Sequence, residues 1–327
     1  MLIAIGMAGL VCCLLAVIVA LRVPWLGITV MPQLATGAVI LRAAEGPAAE
    51  APTPSTLLAI AAVNIPEDAP KATPPGPRQG RTIGLQSHDL IEDPRALRSY
   101  VATRAFFKRQ SDLAAILQGE HVMLALEAGP ARHYILMHPA PSRPLASLPA
   151  RFWLQVLAGF AALMAGALVW QRQPADWGRR LFALAGVALM AAALAAAVFR
   201  TRELALDGNL FSLLAAISST GTLLFGAAVV GFLLRFPRAL GSLVQLSWIL
   251  AAFGTLVVAE LLQVWPTSIS HRIARLEGVT AIVCLAAQAW LGRRARGTRR
   301  QVAWLALVGV AAVAVYAALR QIGTQWA

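Results

Sequence analysis

Seven apolar runs, each close to the length a helix needs to cross a bilayer, divide this chain of 327 residues. About 20 helical residues at roughly 1.5 Å each span roughly 30 Å of hydrocarbon. The runs are 2–21, 152–170, 181–199, 210–234, 240–264, 276–291 and 302–319, and the sixth is the shortest. Hydrocarbon offers the backbone no partner, so a spanning segment satisfies its own amides, and these Ala- and Leu-rich runs read as helices rather than barrel strands. The expected fold class is therefore mainly α, a polytopic helical membrane bundle of about seven spans carrying a small α/β domain. Its parts are an N-terminal transmembrane anchor at 1–22, an extracytoplasmic domain at 23–150 with a Pro-rich linker at 65–81, and a six-helix membrane bundle at 151–327.

Charge sets the orientation. Only 13% of residues are charged, yet the net charge is +13. Residues 23–150 carry 11 Lys or Arg against 10 Asp or Glu, whereas 151–327 carry 16 against 5. A basic excess placed between apolar runs is a topology signal and not a nucleic-acid footprint. Loops 171–180, 235–241 and 292–301 hold ten arginines, against Arg200, Arg202, Arg272 and Arg275 in the two opposite loops. The positive-inside rule places the ten in the cytoplasm and makes 23–150 extracytoplasmic. Trp153, Trp170, Trp265, Trp290 and Trp304 lie near run ends, where interfacial anchors belong. The first run lacks a small-residue cleavage site, which favours a retained anchor over a removed signal peptide.

Within 23–150, Pro66, Pro70, Pro74, Pro75 and Pro77 exclude helix and strand from the linker. Asp93 and Pro94 are suited to the N-cap and first turn of a helix reaching Gln118, with Leu97, Val101, Phe106, Leu113, Ile116 and Leu117 as its apolar stripe. Residues 121–127 and 132–137 alternate around Ala128, Gly129 and Pro130 as a hairpin does. Phe106, Phe107 and Tyr134 read as core. His88, His121, His133 and His138 share no metal-binding spacing, and Cys12, Cys13 and Cys284 all fall within apolar runs, so neither a metal site nor a disulfide framework is expected.

Catalytic patterns are missing from the sequence. There is no His-Glu-x-x-His, no glycine-rich phosphate loop and no Ser with a His base at membrane depth; His271, in a loop, is the only histidine after residue 150. Asp176 and Asp207 fall in loops on opposite sides. The chain is expected to be no enzyme, with no catalytic residues, cofactor or metal. Ionisable residues near span ends are the remaining candidates. Glu260 and Glu277, with Arg200, Arg202, Glu203, His271, Arg272 and Arg275, can form a charged outer mouth; interfacial ion pairing and snorkelling is the alternative. Ser218, Ser219, Thr220, Gly221 and Thr222 read as a small-residue packing surface, and no pair of discontinuous spans favours a transporter.

Two resemblances add to this. Leu26, Gly27 and Ile28, then Gly37, Ala38, Val39 and Ile40, then Glu45, Gly46, Pro47 and Ala48, resemble the start of a bacterial PDZ domain in its circularly permuted order. That resemblance implies a PDZ-like extracytoplasmic domain whose peptide-binding loop, Leu26, Gly27 and Ile28, presents backbone N–H groups to a peptide C-terminal carboxylate. The sequence departs from the family at Pro52, Thr53, Pro54, Ser55 and Thr56, and a strand-rich folding unit with no ligand is the competing reading. Phe152 and Trp153, Asp176 and Trp177, Arg180 to Phe182, Thr201 to Leu204, and Phe236 and Pro237 look like the membrane input region of bacterial sensor histidine kinases, related in layout to the competence-pheromone receptor kinase. This implies sensing of an extracytoplasmic peptide or lipid-like ligand, with Arg202, Glu203, Glu260 and His271 contacting it and the helix bundle transmitting it. Such kinases continue into a phosphoacceptor helix and an ATP-binding domain, so a sequence ending at Ala327 is expected either to be cut from a longer kinase or to act alone. Expected partners are the lipid bilayer, the ligand and a second copy of the chain as a homodimer. A membrane scaffold that binds peptide C-termini is the rival reading.

Overall fold

A computed structural model describes residues 1–33, 36–63, 81–97, 99–265, 267–291, 300, 301 and 303. It divides into two compact units. One comprises Val11–Val156 with Leu194–Ile217, and the other Met1–Leu10, Leu157–Ala193 and Ser218–Ala327. The expected linker at 65–81 lies outside the described residues except for Arg81.

The first unit is built on one antiparallel sheet. Its strands are β1 (Ile28–Gln33), β2 (Ala38–Ala44), β3 (Ser55–Ala62), β4 (Thr82–Gly84), β5 (Val122–Ala128) and β6 (Ala131–Met137), ordered β1-β2-β3-β5-β6 with β4 also on β3. β2 pairs with β3 at residues 55–57 and β4 with β3 at 59–61, while β5 runs along β3 from Thr56 to Ala62. Strand β1 pairs with β2 and stands at the end of the order, with Pro32 inside it. Alternation along the strands points Val39 and Leu41, then Val122, Leu124 and Leu126, to one face, and all five are fully buried.

Helix α2 (Tyr100–Leu117) supplies the other half of this core through Leu113, Ala114, Ile116 and Leu117. Its start differs from the sequence expectation. Asp93 caps only a short 3-10 turn, Pro94–Ala96, by accepting from the Arg95 amide at 3.0 Å, and Leu97 is extended. Ser99 then caps α2, its Oγ accepting from the Ala102 amide at 3.1 Å. Two capping residues therefore stand where the apolar stripe suggested one continuous helix. The hairpin of β5 and β6 forms as read, with Gly129 at φ 62° in the turn. Tyr134 is 55% exposed and so is no core residue, because its side chain lies on the open side of β6.

Among the described residues, six helices are long and apolar enough to cross a membrane: α1 (Leu2–Leu21), α3 (Ala150–Arg172), α4 (Trp177–Arg200), α5 (Gly208–Arg235), α6 (Leu243–Leu261) and α7 (Ser270–Leu291). The seventh run, 302–319, lies outside the described residues apart from Ala303. The sixth run, shortest by apolar count, belongs to a 22-residue helix that begins at Ser270. In the second unit, glycine sets the spacing of α3 and α4. A Cβ on Gly186 would stand 2.5 Å from the Ala162 carbonyl oxygen, and one on Gly166 would stand 2.9 Å from the Ala183 Cα. Gly221 of α5 meets the Ala188 carbonyl oxygen of α4 at 2.7 Å by the same measure. Backbones this close explain why small residues fill the seams: in lipid, close packing replaces the hydrophobic drive that holds soluble helices together.

Candidate carboxylate-binding loop

The turn into β1 is fixed before any ligand is considered. The Trp25 amide donates to the Ala140 carbonyl and the Ala140 amide donates back, both at 2.9 Å. The Leu26 carbonyl accepts from the Ala48 amide at 3.1 Å and the Gly27 carbonyl from the Glu45 amide at 2.7 Å. Gly27 has φ 78°, and a Cβ there would sit 2.0 Å from the Glu45 carbonyl oxygen, so the position accommodates glycine alone. With both carbonyls engaged by the β2 exit, the Leu26 and Gly27 amides are presented together as an anion cradle.

A carboxylate occupies that cradle, and it comes from the chain itself. Leu26 N–H donates to Glu203 Oε2 at 2.8 Å and Gly27 N–H donates to Oε1 at 3.1 Å. Glu203 lies in the connection between α4 and α5. Burial pushes its carboxyl up to about 7, while the amides of Leu26, Gly27 and Ile28 and the Arg143 guanidinium pull the other way. Beyond it, Leu204 and Ala205 are 1% and 2% exposed and belong to the same apolar cluster as Leu26, Ile28 and Leu113.

Arginines on either side hold this connection. Arg143 donates from Nε to Ser147 Oγ at 2.8 Å, and its guanidinium also donates to the Thr201 carbonyl. Arg202 donates to the carbonyls of Phe199, at 2.9 Å, and Ile91, and its guanidinium lies 4.5 Å from the Phe211 ring centroid. Burial pushes Arg202 down to about 10. Phe199, Phe211, Phe106 and Phe107 form an aromatic cluster here, with Phe199 stacked on Phe211 at 5.3 Å. Arg202 is thus committed to packing the loop. Gly208, which opens α5, donates to Ser111 Oγ of α2 at 2.9 Å.

Of the four residues expected to contact the ligand, Arg202 and Glu203 belong to the first unit, and Glu260 and His271 to the second. Glu260 accepts from Ser268 Oγ at 2.6 Å, the Ile269 amide at 3.0 Å and the Ser270 hydroxyl. A carboxylate at those groups caps α7, so His271 sits in that helix's first turn and not in a loop. Glu277 of α7 is 3% exposed, and its Oε1 has no hydrogen-bond partner among the described residues. Its Oε2 would lie 2.0 Å from a Cβ on Gly226 of α5.

Leu26 and Gly27 were legible as a loop motif and Glu203 as a charged residue; that they meet was not, because a backbone amide has no side-chain signature. Arg143 was missed altogether, lying in a Pro- and Ser-rich stretch without periodicity. His121 and His138 do meet, with ring centroids 4.2 Å apart, because the β5–β6 register opposes the residues flanking Val122 and Met137. Among the described residues, no group of three metal-ligating side chains forms. Against family models, curated proteins and solved structures, nothing matches this chain.

Proposed function

We propose that this chain is the membrane signal-sensing module of a two-component histidine kinase system. In this reading residues 23–150 form a PDZ-like domain on the extracytoplasmic side of a bacterial inner membrane. It takes a peptide or lipid-like ligand through the Leu26, Gly27 and Ile28 loop, and the membrane helices relay the event. One observation carries the reading: a carboxylate sits on the Leu26 and Gly27 amides, beside an end strand, and it belongs to the connection between two apolar helices. A pair of amides that holds a carboxyl group suits a peptide C-terminus, and strand β1 suits strand addition. Its tie to α4 and α5 gives a binding event a route into helices long enough to span a bilayer.

The test is a chimera of this chain with a histidine kinase transmitter, driven by secreted peptide mixtures. Deleting residues 24–90 should change the signal response while the chimera stays in the membrane. An unchanged response removes the sensing role. The scaffold reading, favoured by the same end strand, instead expects that deletion to abolish capture of a partner with no change in kinase output.

A further inference from the structure

A peptide C-terminus offers two things to a cradle of this kind: a carboxylate, and one side chain beside it. The α4–α5 connection offers both from within the chain. Glu203 supplies the carboxylate at 2.8 and 3.1 Å, and the next residue, Leu204, supplies an apolar side chain that is 1% exposed in the sheet domain's core cluster. The flanks are held separately, by Arg202 on the Ile91 and Phe199 carbonyls and by Gly208 on Ser111. Release of 203–205 therefore needs no release of the loop's two ends.

We infer that Glu203 and Leu204 form a built-in occupant of the Leu26 and Gly27 cradle, and that a peptide bearing a free C-terminal carboxylate gains the cradle only by displacing them. This rests on the peptide-binding reading of the loop above. An intramolecular competitor acts at an effective concentration on the order of millimolar, so a cradle occupied about 99% of the time weakens apparent ligand affinity about 100-fold. The arrangement makes binding and loop release one event. The displaced segment is the covalent link between α4 and α5, so occupancy of the cradle is reported at the ends of two helices.

The experiment uses the full chain in nanodiscs of phosphatidylethanolamine and phosphatidylglycerol. The probes are a pool of random dodecapeptides with free C-termini and the same pool amidated. Hydrogen exchange of the segment carrying Leu26 and Gly27 is followed in parallel, with the amides of Leu57, Ile60 and Leu124 as the control that the domain remains folded. Two amide hydrogen bonds, each worth about 0.5–1.5 kcal/mol net, are lost with the side chain, so Glu203→Ala should speed exchange at Leu26 and Gly27 by about tenfold. The same variant should retain at least about tenfold more of the free-carboxylate pool than the native chain, and no more of the amidated pool. Glu203→Gln, which keeps an acceptor oxygen, and Leu204→Ala, which removes only the apolar half, should fall between the two.

Unchanged exchange at Leu26 and Gly27 in Glu203→Ala overturns the inference. So does equal retention of the free-carboxylate pool by the native chain and the variant, although peptide binding itself then stands. Faster exchange with retention by neither overturns the inference together with the peptide-binding reading.

Discussion

Gly27→Ala measures how much of the cradle depends on backbone shape. An L-residue in the left-handed region at φ 78° costs about 1–2 kcal/mol on conformation alone. The added Cβ would also lie 2.0 Å from the Glu45 carbonyl oxygen and 2.8 Å from its carbon, and backbone atoms cannot rotate away. Relief requires parting the loop from β2, which gives up the 2.7 Å bond from the Glu45 amide to the Gly27 carbonyl, worth about 0.5–1.5 kcal/mol net. The expected loss is about 1.5–3.5 kcal/mol. Gly37→Ala is the matched comparison: its φ is 71°, but a Cβ there meets nothing among the described residues within 4 Å, so the conformational cost is the term that applies. Pulse proteolysis across a urea series, following the sheet domain of the intact chain, reads both variants. Gly27→Ala should be the more destabilising by about 0.5–1.5 kcal/mol. Equal losses for the two glycines would refute the crowding argument and leave the cradle's shape unexplained by its packing against Glu45.

Three further outcomes follow from other contacts. Burial raises Glu203 from 4.5 to about 7 when it is docked, so the docked state binds more protons between those values; its stabilising effect is full at the acid end and lost as pH rises towards 7. The charge facing it is Arg143, which in turn faces Arg151. Exchange at Leu26 and Gly27, corrected for intrinsic rate, should therefore slow about tenfold from pH 8 to pH 5 and lose this slope in Glu203→Gln; the opposite slope would contradict it. Asp89 is fully buried and paired with Arg109, whereas Arg81 and Asp112 are 58% and 27% exposed. Arg109→Ala should cost about 3 kcal/mol in urea unfolding and Arg81→Ala less than about 1 kcal/mol, and parity would show that burial of Asp89 is unimportant. In the second unit, Gly226→Ala should lower the thermal stability of the detergent-solubilised chain, and Glu277→Ala should rescue it, with a coupling of about 1 kcal/mol; additive effects would mean the two residues do not touch.

What could be read in advance depended on whether a feature is written in side chains. Apolar length gave the helices, and strand alternation with Gly129 gave the β5–β6 hairpin. Boundaries were less legible where polar groups act at a distance. The polar turn of Ser270, His271 and Arg272 resembles a loop, yet it is helical because Glu260, ten positions before Ser270, takes the Ile269 amide and the serine hydroxyls. The same limit applies at the cradle. Gly27 marks a sharp turn, but nothing in its identity says that the partner of its amide lies 176 positions away. Glu203 could be chosen as a charged residue in an apolar region; its neighbours could not, since they are peptide groups ordered by Glu45 and Ala48.

Pro32 gives the end strand a limit of its own. An unpartnered strand invites other chains to zip onto it, and natural proteins blunt that hazard with proline, which has no amide hydrogen to offer. Here the proline stands near the far end of β1, followed only by Gln33, and the pairing with β2 is also irregular between Thr29 and Val30. An incoming strand that starts at Leu26 and Gly27 finds a short ladder and then a missing rung. On the proposed peptide-binding reading, this edge suits a short visitor that ends in a carboxylate better than an extended partner strand.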